Sequence, residues 1–275
     1  MTDKNIIYIE GMTDTGLIRA HNEDSIGNDL SISLAVLADG MGGHKGGEVA
    51  SALAVNTVLN DLPGELERCK RLEIDENVSG YSYQSIAIKN VIEKANSVIF
   101  QAASKQIQYE GMGTTIVVTM FYGNRMSVAH VGDSRMYRLR EHEMEQITSD
   151  HSLLQELIDR GFYTPEEAKK SLNKNLVTRA LGIEESVKID ITEEIVLPED
   201  SYLLCSDGLS DMVDDRRITM ILEENKAHID VACSELIQQA IDNGGHDNIS
   251  VIVIQPNKQG SGLNKIVSKF KDIFS

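Results

Sequence analysis

The chain has few cysteines and no long apolar run. Its 275 residues include three cysteines, four prolines and no tryptophan. Cys69, Cys205 and Cys233 are far apart and form no Cys-x-x-Cys pair, so they predict neither a disulfide framework nor a zinc site. Scattered thiols fit a reducing cytoplasm. No apolar stretch reaches the ~18 residues of a transmembrane segment, and the polar N-terminus does not resemble a signal peptide.

Positive charge is also scarce. The 26 lysines and arginines are outnumbered by 43 aspartates and glutamates, which gives a net charge of -17. A surface of this sign repels the nucleic-acid backbone, so we expect no nucleic-acid partner. The hydrophobic share of 41% over this length is ample for a sizeable core. The acidic excess favours solubility, and we expect some of the carboxylates to converge on cations.

The apolar patterns predict helices in pairs and strands linked by hairpins. Because a strict βαβ order is missing, they favour an α+β sandwich with antiparallel-rich sheets. The turn Gly123-Asn124 predicts a hairpin. The polar residues 63–84, which include Pro63, predict a loop with room for a charged helical turn. The predicted helices cover 48–62, 85–104, 152–160, 165–172 and parts of 209–241, and the predicted strands cover 31–38, 114–122, 125–131, 135–139, 187–197, 202–205 and 249–254.

An aspartate stands at one end of four of these strands. Asp39 and Asp207 follow their strands and precede a glycine. Asp133 follows a glycine after its strand, and Asp247 lies just before the last strand. One such aspartate is more often a turn or cap residue. Four can meet at one sheet edge, where protons or cations must offset their repulsion, and all-oxygen ligands select Mg²⁺ or Mn²⁺.

A second polar cluster precedes the first of these strands. Arg19 lies shortly before Glu23 and Asp24. An arginine binds phosphate with a planar fork, and two carboxylates can hold metal-bound water. Taken alone, the cluster is better explained as a surface mixture of charges. The glycine after Asp39, Gly40, would let a main-chain carbonyl approach a metal closely.

Eight segments, in order between about residues 11 and 255, resemble the metal-dependent serine/threonine protein phosphatases of type 2C (PPM), in their compact bacterial branch. One segment would be weak evidence, whereas eight in register are highly specific. The segments are RAHNEDS at 19–25, ADGMGGHKGGEVAS at 38–51, GMGTT at 111–115, AHVGDSR at 129–135, TSDHSL at 148–153, NLVTRALG at 175–182, LLCSDGLSD at 203–211 and HDNISV at 246–251.

The resemblance implies a four-layer αββα sandwich, with two antiparallel-rich sheets flanked by helix pairs. A catalytic domain would cover residues 1–256, with a flap over about 151–175. Two Mn²⁺ or Mg²⁺ ions would lie at one end of the sheets, together with a third, weaker ion. The implied roles of the site residues follow from their matching positions. Asp39 would bridge two ions, Gly40 would offer its carbonyl, and Asp207 and Asp247 would bind one ion. Glu23 and Asp24 would bind through water near the other ion, Asp133 with Asp207 would hold the third, and Arg19 would bind the substrate phosphate.

The resemblance also implies a reaction. A hydroxide bridging the metals would hydrolyse phosphoserine and phosphothreonine in proteins, and the substrates would include a bacterial Ser/Thr kinase and its targets. A cysteine phosphatase is excluded because no cysteine begins a Cys-x5-Arg motif, and the glycine-rich residues 40–47 lack the Gly-Lys-Ser/Thr ending of a P-loop. Met41 stands where some members carry a histidine, so the general acid is unassigned.

Two other functions stay open, and so does the role of the C-terminal tail. One alternative is a catalytically impaired regulatory domain that binds phosphoproteins, and the other is a hydrolase of small phosphoesters. Residues 257–275 indicate a linker and a short amphipathic tail, whose apolar residues within 263–274 could contact a partner or a membrane surface. Packing on the chain's own domain is the commoner outcome for so short a helix.

Overall fold

The computed structural model describes residues 7–42, 46–73, 76–164, 167 and 176–256. Nearly all of the helix predicted over 165–172 lies outside these residues, as does the tail over 257–275. Among the described residues, no helix is long and apolar enough to cross a membrane.

The described strands form two antiparallel sheets. The first sheet has the order β1-β11-β10-β7-β8, and the second has the order β2-β3-β5-β6-β9, with β4 paired to β3. The hairpin predicted at Gly123-Asn124 is confirmed between β5 and β6, where Gly123 takes a φ of 55°. The strands are β1 Ile7–Asp14, β2 Asp24–Asp29, β3 Leu34–Met41, β4 Gly113–Thr114, β5 Ile116–Tyr122, β6 Arg125–Val131, β7 Arg135–Arg140, β8 Glu143–Gln146, β9 Asp190–Ile195, β10 Ser201–Cys205 and β11 Ile249–Pro256.

Helices cover the outer face of each sheet. The long pair α1 and α3 packs together and covers the second sheet, while α6 and α7 cover the first. The α+β sandwich with four αββα layers is therefore confirmed. The helices are α1 Gly46–Arg71, α2 Glu76–Ser79, α3 Tyr83–Lys105, α4 Leu153–Asp159, α5 Asp207–Ser210, α6 Asp215–Glu224 and α7 Ile229–Asp242.

Three apolar cores separate the layers. One lies between the second sheet and the pair α1 and α3, and another lies between the first sheet and the helices α5, α6 and α7. The third lies between the two sheets, where the rings of Phe121 and Tyr202 meet edge to face at 5.2 Å. Because the sheets pack directly on each other, their strand ends form a common edge on which the aspartates can meet.

The loop predicted over residues 63–84 is wrong for its first part. Helix α1 continues through Pro63 to Arg71, and a short helix, α2, follows. Leu62, Leu66 and Cys69 lie on one helical face and pack in the core shared with α3. Burial of this face outweighs the hydrogen bond that a proline removes from a helix interior.

Candidate functional site

Asp39 and Asp24 lie directly opposite each other on paired strands. The register of β2 against β3 aligns the two residues, so the upstream cluster joins the first strand-end aspartate. The Asp39 backbone is held on its other side by two threonines. Its N–H donates to Thr115 Oγ1 at 3.0 Å, and its carbonyl accepts from the Thr115 N–H and from Thr114 Oγ1, each at 2.8 Å.

The Asp24 carboxyl is buried, with 7% of the residue exposed. Its Oδ2 accepts hydrogen bonds from Ser206 Oγ at 2.8 Å and Ser250 Oγ at 2.6 Å. Its Oδ1 has no hydrogen-bond partner among the described residues. Burial raises the pKa of Asp24 to about 6, against the lowering effect of the two hydroxyls and of the neighbouring Asp39 carboxyl. One oxygen of this carboxyl is therefore fixed, and the other is buried without a donor.

Asp207 and Asp133 come from the two sheets and face one cleft. Asp207 is the first residue of α5, directly after β10, and Asp133 lies in the turn between β6 and β7. Both line a cleft of about 750 Å³. The Oδ1 of Asp207 is buried and has no hydrogen-bond partner among the described residues. Burial, and then the charge of Asp133, raise the pKa of Asp207 well above its ordinary value. Burial raises the pKa of Asp133 to about 6.

Mutual repulsion extends across the whole group of aspartates. Burial is the largest cause that raises the pKa of Asp39 well above its ordinary value, and the charges of Asp24, Asp207, Asp133 and Asp247 follow. The sheet edge therefore brings together all four strand-end aspartates with Asp24. Protons or cations are needed to offset this charge.

Arg19 and Asp247 form an ion pair at the rim. Arg19 Nη2 donates to Asp247 Oδ2 at 2.6 Å, and their side chains are 52% and 30% exposed. Glu23 lies nearby, and burial is the largest cause that raises the pKa of its carboxyl. The structure thus places Arg19 and Glu23 at the edge of the aspartate cluster.

Glycines allow the close packing around Asp39. A Cβ at Gly40 would lie 2.2 Å from the Gly47 carbonyl oxygen and 2.5 Å from that of Glu23. A Cβ at Gly47 would lie 2.8 Å from the Glu23 side chain. These distances are shorter than any real Cβ contact. The first turn of α1 can therefore lie this close to Asp39 and Glu23 only because positions 40 and 47 are glycines.

Asn248 forms hydrogen bonds that connect the segments of the site. Sequence reasoning did not identify it as a site residue. Its Oδ1 accepts from the Glu23 N–H at 2.8 Å, and its Nδ2 donates to the carbonyls of Thr15 and His21 at 2.9 and 3.0 Å. These bonds join the upstream cluster to the start of β11. The only signal for it was its place in the HDNISV segment, because its partners are more than 220 residues away.

The oxygen atoms suit hard divalent cations, whose coordination water and main-chain carbonyls would complete. Within the described ranges, no group of three or more aspartate, glutamate, histidine or cysteine side chains is arranged so that it could hold a metal ion by itself. The cluster instead offers two buried carboxyl oxygens without donors, on Asp24 and Asp207. Mg²⁺ in particular retains several waters and takes one or two carboxylates.

Comparisons with known proteins show the family to which this chain belongs. A family model for protein phosphatase 2C matches residues 19–236. The serine/threonine protein phosphatase PstP of Mycobacterium tuberculosis is 38% identical over 248 residues, which cover 90% of this chain and 45% of PstP. The serine/threonine phosphatase stp of Listeria monocytogenes is 36% identical over 252 residues, which cover 90% of this chain and 96% of the relative.

A solved structure shows the same fold with metal ions. The catalytic domain of PstP in complex with two manganese ions is 36% identical, with a TM-score of 0.76 over 92% of this chain and 99% of that one. The chain spans less than half the length of full PstP but nearly all of its catalytic domain. The match to the family model covers most of the chain, and the chain therefore belongs to the protein phosphatase 2C family.

Proposed function

We propose that this chain is a metal-dependent protein phosphatase that hydrolyses phosphoserine and phosphothreonine. The observation that carries the proposal is the pair of donorless, buried carboxyl oxygens of Asp24 and Asp207, which flank Asp39 at the common edge of the two sheets. Buried carboxylates without partners destabilise a fold unless a ligand neutralises them. Two divalent cations supply that neutralisation.

The residues present fit a binuclear Mn²⁺ or Mg²⁺ site. Asp39 would be shared between the ions, and the Gly40 carbonyl would be a further ligand. The other residues in the proposal are Asp207 and Asp247 at one ion, Glu23 and Asp24 through water near the other, and Asp133 with Asp207 at a third, weaker ion. When bound, the cations acidify water and offset the charge of a phosphate dianion.

Arg19 is proposed to bind the substrate phosphate. Its bond to Asp247 uses Nη2, and a guanidinium has five N–H donors in a planar fork. Half of the side chain is exposed, so it can meet a ligand that approaches from solvent. The bond to Asp247 fixes its direction, which lowers the entropic cost of orienting the phosphate.

We propose phosphorylated proteins as the substrates, including a Ser/Thr kinase and its targets. The relatives named above are serine/threonine phosphatases, which supports phosphoserine and phosphothreonine in proteins as the substrate esters. The resemblance to the bacterial branch supports a Ser/Thr kinase among the substrates. Three buried, free thiols support a reducing compartment, the cytoplasm. All the carboxylates that an impaired regulatory domain would be expected to lose are present in the sequence, which disfavours that alternative.

The test compares wild type with Asp39→Asn on a phosphothreonine peptide in Mn²⁺. Loss of a shared ligand is expected to lower kcat/KM at least about 100-fold, because even residues that only orient metal ligands contribute about 10–100-fold. Asp61→Asn is the matched control, since Asp61 pairs with Lys94 on a helix surface and such pairs contribute little. Its activity should equal that of wild type.

Three outcomes would contradict the proposal. Equal activity of wild type and Asp39→Asn, or activity that survives EDTA, would remove the metal mechanism. Hydrolysis of para-nitrophenyl phosphate without hydrolysis of the peptide or of a phosphorylated kinase domain would favour a small-phosphoester hydrolase.

A further inference from the structure

The turn that carries Asp133 is held by the segment that begins the flap. The His151 N–H donates to the Gly132 carbonyl at 2.9 Å, and the Gly132 N–H donates to His151 Nδ1 at 3.1 Å. Both polar groups of the Gly132 backbone are therefore bonded to one residue. Gly132 has a φ of 107°, and an added Cβ would lie 2.5 Å from Thr115 Cγ2, so only glycine fits at this position of the turn.

The orientation of the His151 ring is set on its other side. Because Nδ1 accepts a hydrogen bond, the neutral ring carries its proton on Nε2. That nitrogen lies between Asp190 Oδ2, at 3.2 Å, and Arg179 Nη1, at 2.9 Å, and Arg179 Nη1 also donates to Asp190 Oδ1 at 3.2 Å. The ring also stacks on His130, with ring centroids 4.6 Å apart, and only 6% of His151 is exposed. The acceptor that faces Gly132 is thereby held in one direction.

A second contact holds the other end of the same turn. Arg135 forms a fork with Asp150, with Nε 3.0 Å from Oδ1 and Nη2 2.6 Å from Oδ2. Asp133 lies between the two bonded positions. Residues 150–151 therefore hold the turn on both sides of a carboxylate that faces the same cleft as Asp207.

We propose that His151 is a positioning residue for Asp133, acting through the hydrogen bond from the Gly132 N–H to Nδ1. The inference rests on the proposed function, in which Asp133 helps to hold the third, weaker cation. It also connects that cation to the flap. The His151 carbonyl accepts from the Thr178 N–H at 2.8 Å, and the next residue, Ser152, caps α4, so two flanks of the flap meet at this histidine.

Two substitutions separate the two nitrogens of the ring. In His151→Asn, the amide oxygen can occupy the place of Nδ1 and accept from Gly132, but the side chain is too short to reach Asp190. In His151→Gln, the amide nitrogen can take the place of Nε2, but the acceptor for Gly132 is lost. Asp190 keeps the nearby cations of Arg179 and Lys188 in both variants, so it is not left unpaired.

The measurement is Mn²⁺ binding to the full chain by titration calorimetry, together with the Mn²⁺ concentration that gives half-maximal activity. We expect His151→Gln to weaken the weakest Mn²⁺ site by about 10-fold, in the range for groups that orient metal ligands. His151→Asn should stay within about twofold of wild type. Both variants lose the stacked ring, so similar losses in Tm are expected, and stability would not explain a difference in binding.

Two controls make the result specific. His142→Asn makes the same chemical change at a histidine that is 88% exposed in the β7–β8 turn, and it should bind Mn²⁺ like wild type. Asp133→Asn should weaken the same site at least as much as His151→Gln. If His151→Gln does not fold, His151→Ala, which also removes the acceptor for the Gly132 N–H, takes its place and should weaken the site relative to His151→Asn.

The outcomes distinguish this inference from the proposed function. If Asp133→Asn weakens Mn²⁺ binding while His151→Gln and His151→Asn bind equally, the positioning role is refuted and the metal site stands. If Asp133→Asn leaves Mn²⁺ binding unchanged, the third cation of the proposed function is refuted, and the inference with it.

Discussion

Substituting Gly40 by alanine adds one methyl group where two chain segments approach Asp39. The new Cβ would lie 2.2 Å from the Gly47 carbonyl oxygen, at the start of α1, and 2.5 Å from the Glu23 carbonyl oxygen, just before β2. Ordinary contacts begin at 3.4 Å. Both obstacles are main chain, so no side chain can rotate away, and a displacement of about 1 Å is required.

The size of the effect follows from that displacement. An extra methyl group in a packed site costs about 1–3 kcal/mol, which corresponds to a decrease in Tm of about 2–4 °C per kcal/mol in a domain near this size. The effect on catalysis is larger, because a misplacement of about 1 Å in an active site can cost about 100-fold in rate. We therefore expect Gly40→Ala to remain folded and to lose about 100-fold in kcat/KM.

The assay is hydrolysis of a phosphothreonine peptide in saturating Mn²⁺, with Tm measured on the same samples. Gly64→Ala is the matched control. Gly64 lies in α1 with nothing within 4 Å of an added Cβ, so alanine there should raise stability by about 0.5–1 kcal/mol and leave activity unchanged. A Gly40→Ala enzyme within about threefold of wild type would refute the claim that this close approach positions Asp39.

Two further predictions concern stability. In EDTA, the folded protein retains protons on Asp24 and Asp133, whose pKa values are raised to about 6. The stabilisation from the two protonated carboxyls is present in full below pH ~4, the ordinary aspartate pKa, and is lost as the pH rises through about 6. Urea unfolding in EDTA should therefore show about 1 kcal/mol more stability per group at pH 5 than at pH 7.5, and an equal or lower value at pH 5 would contradict the raised pKa values. Glu193 accepts hydrogen bonds from the first turn of α3 and from Arg125, far from the site. Glu193→Ala should destabilise the fold by about 2–4 kcal/mol and leave kcat/KM unchanged at a temperature where the variant is folded. A large loss of kcat/KM at that temperature would show that Glu193 affects the site and not stability alone.

The sequence could predict the parts of the site that local chemistry determines. Asp39, Asp207 and Asp247 adjoin apolar strands, and β10 and β11 lie close to the predicted segments. Strand β3 is displaced by three residues from its prediction and includes Asp39. The reason is tertiary, since pairing with β2 extends the strand as far as Asp39.

Other elements depend on partners that are distant in the chain. Strand β2 is short and polar, with the sequence DSIGND, and shows no apolar alternation by which it could be recognised. Only its pairing with β3 makes it a strand and places Asp24 opposite Asp39. The edge strands β1 and β8 were likewise not predicted. In the same way, the extension of α1 beyond Pro63 depends on burial against α3. Helix propensity, which is a local property, does not predict this burial.

The distribution of charge supports the proposal that cations bind at this site. The largest electrostatic influences on Asp39 come from other carboxyls, while Arg19 stays at the exposed rim. The half-buried Arg135 binds Asp150. The interior of the site thus gathers negative charge from both sheets and leaves its compensation to a ligand. Binding of that ligand must then stabilise the folded state, because anything that binds only the native form shifts the folding equilibrium toward it. In the proposed function, metal binding is for this reason thermodynamically linked to folding.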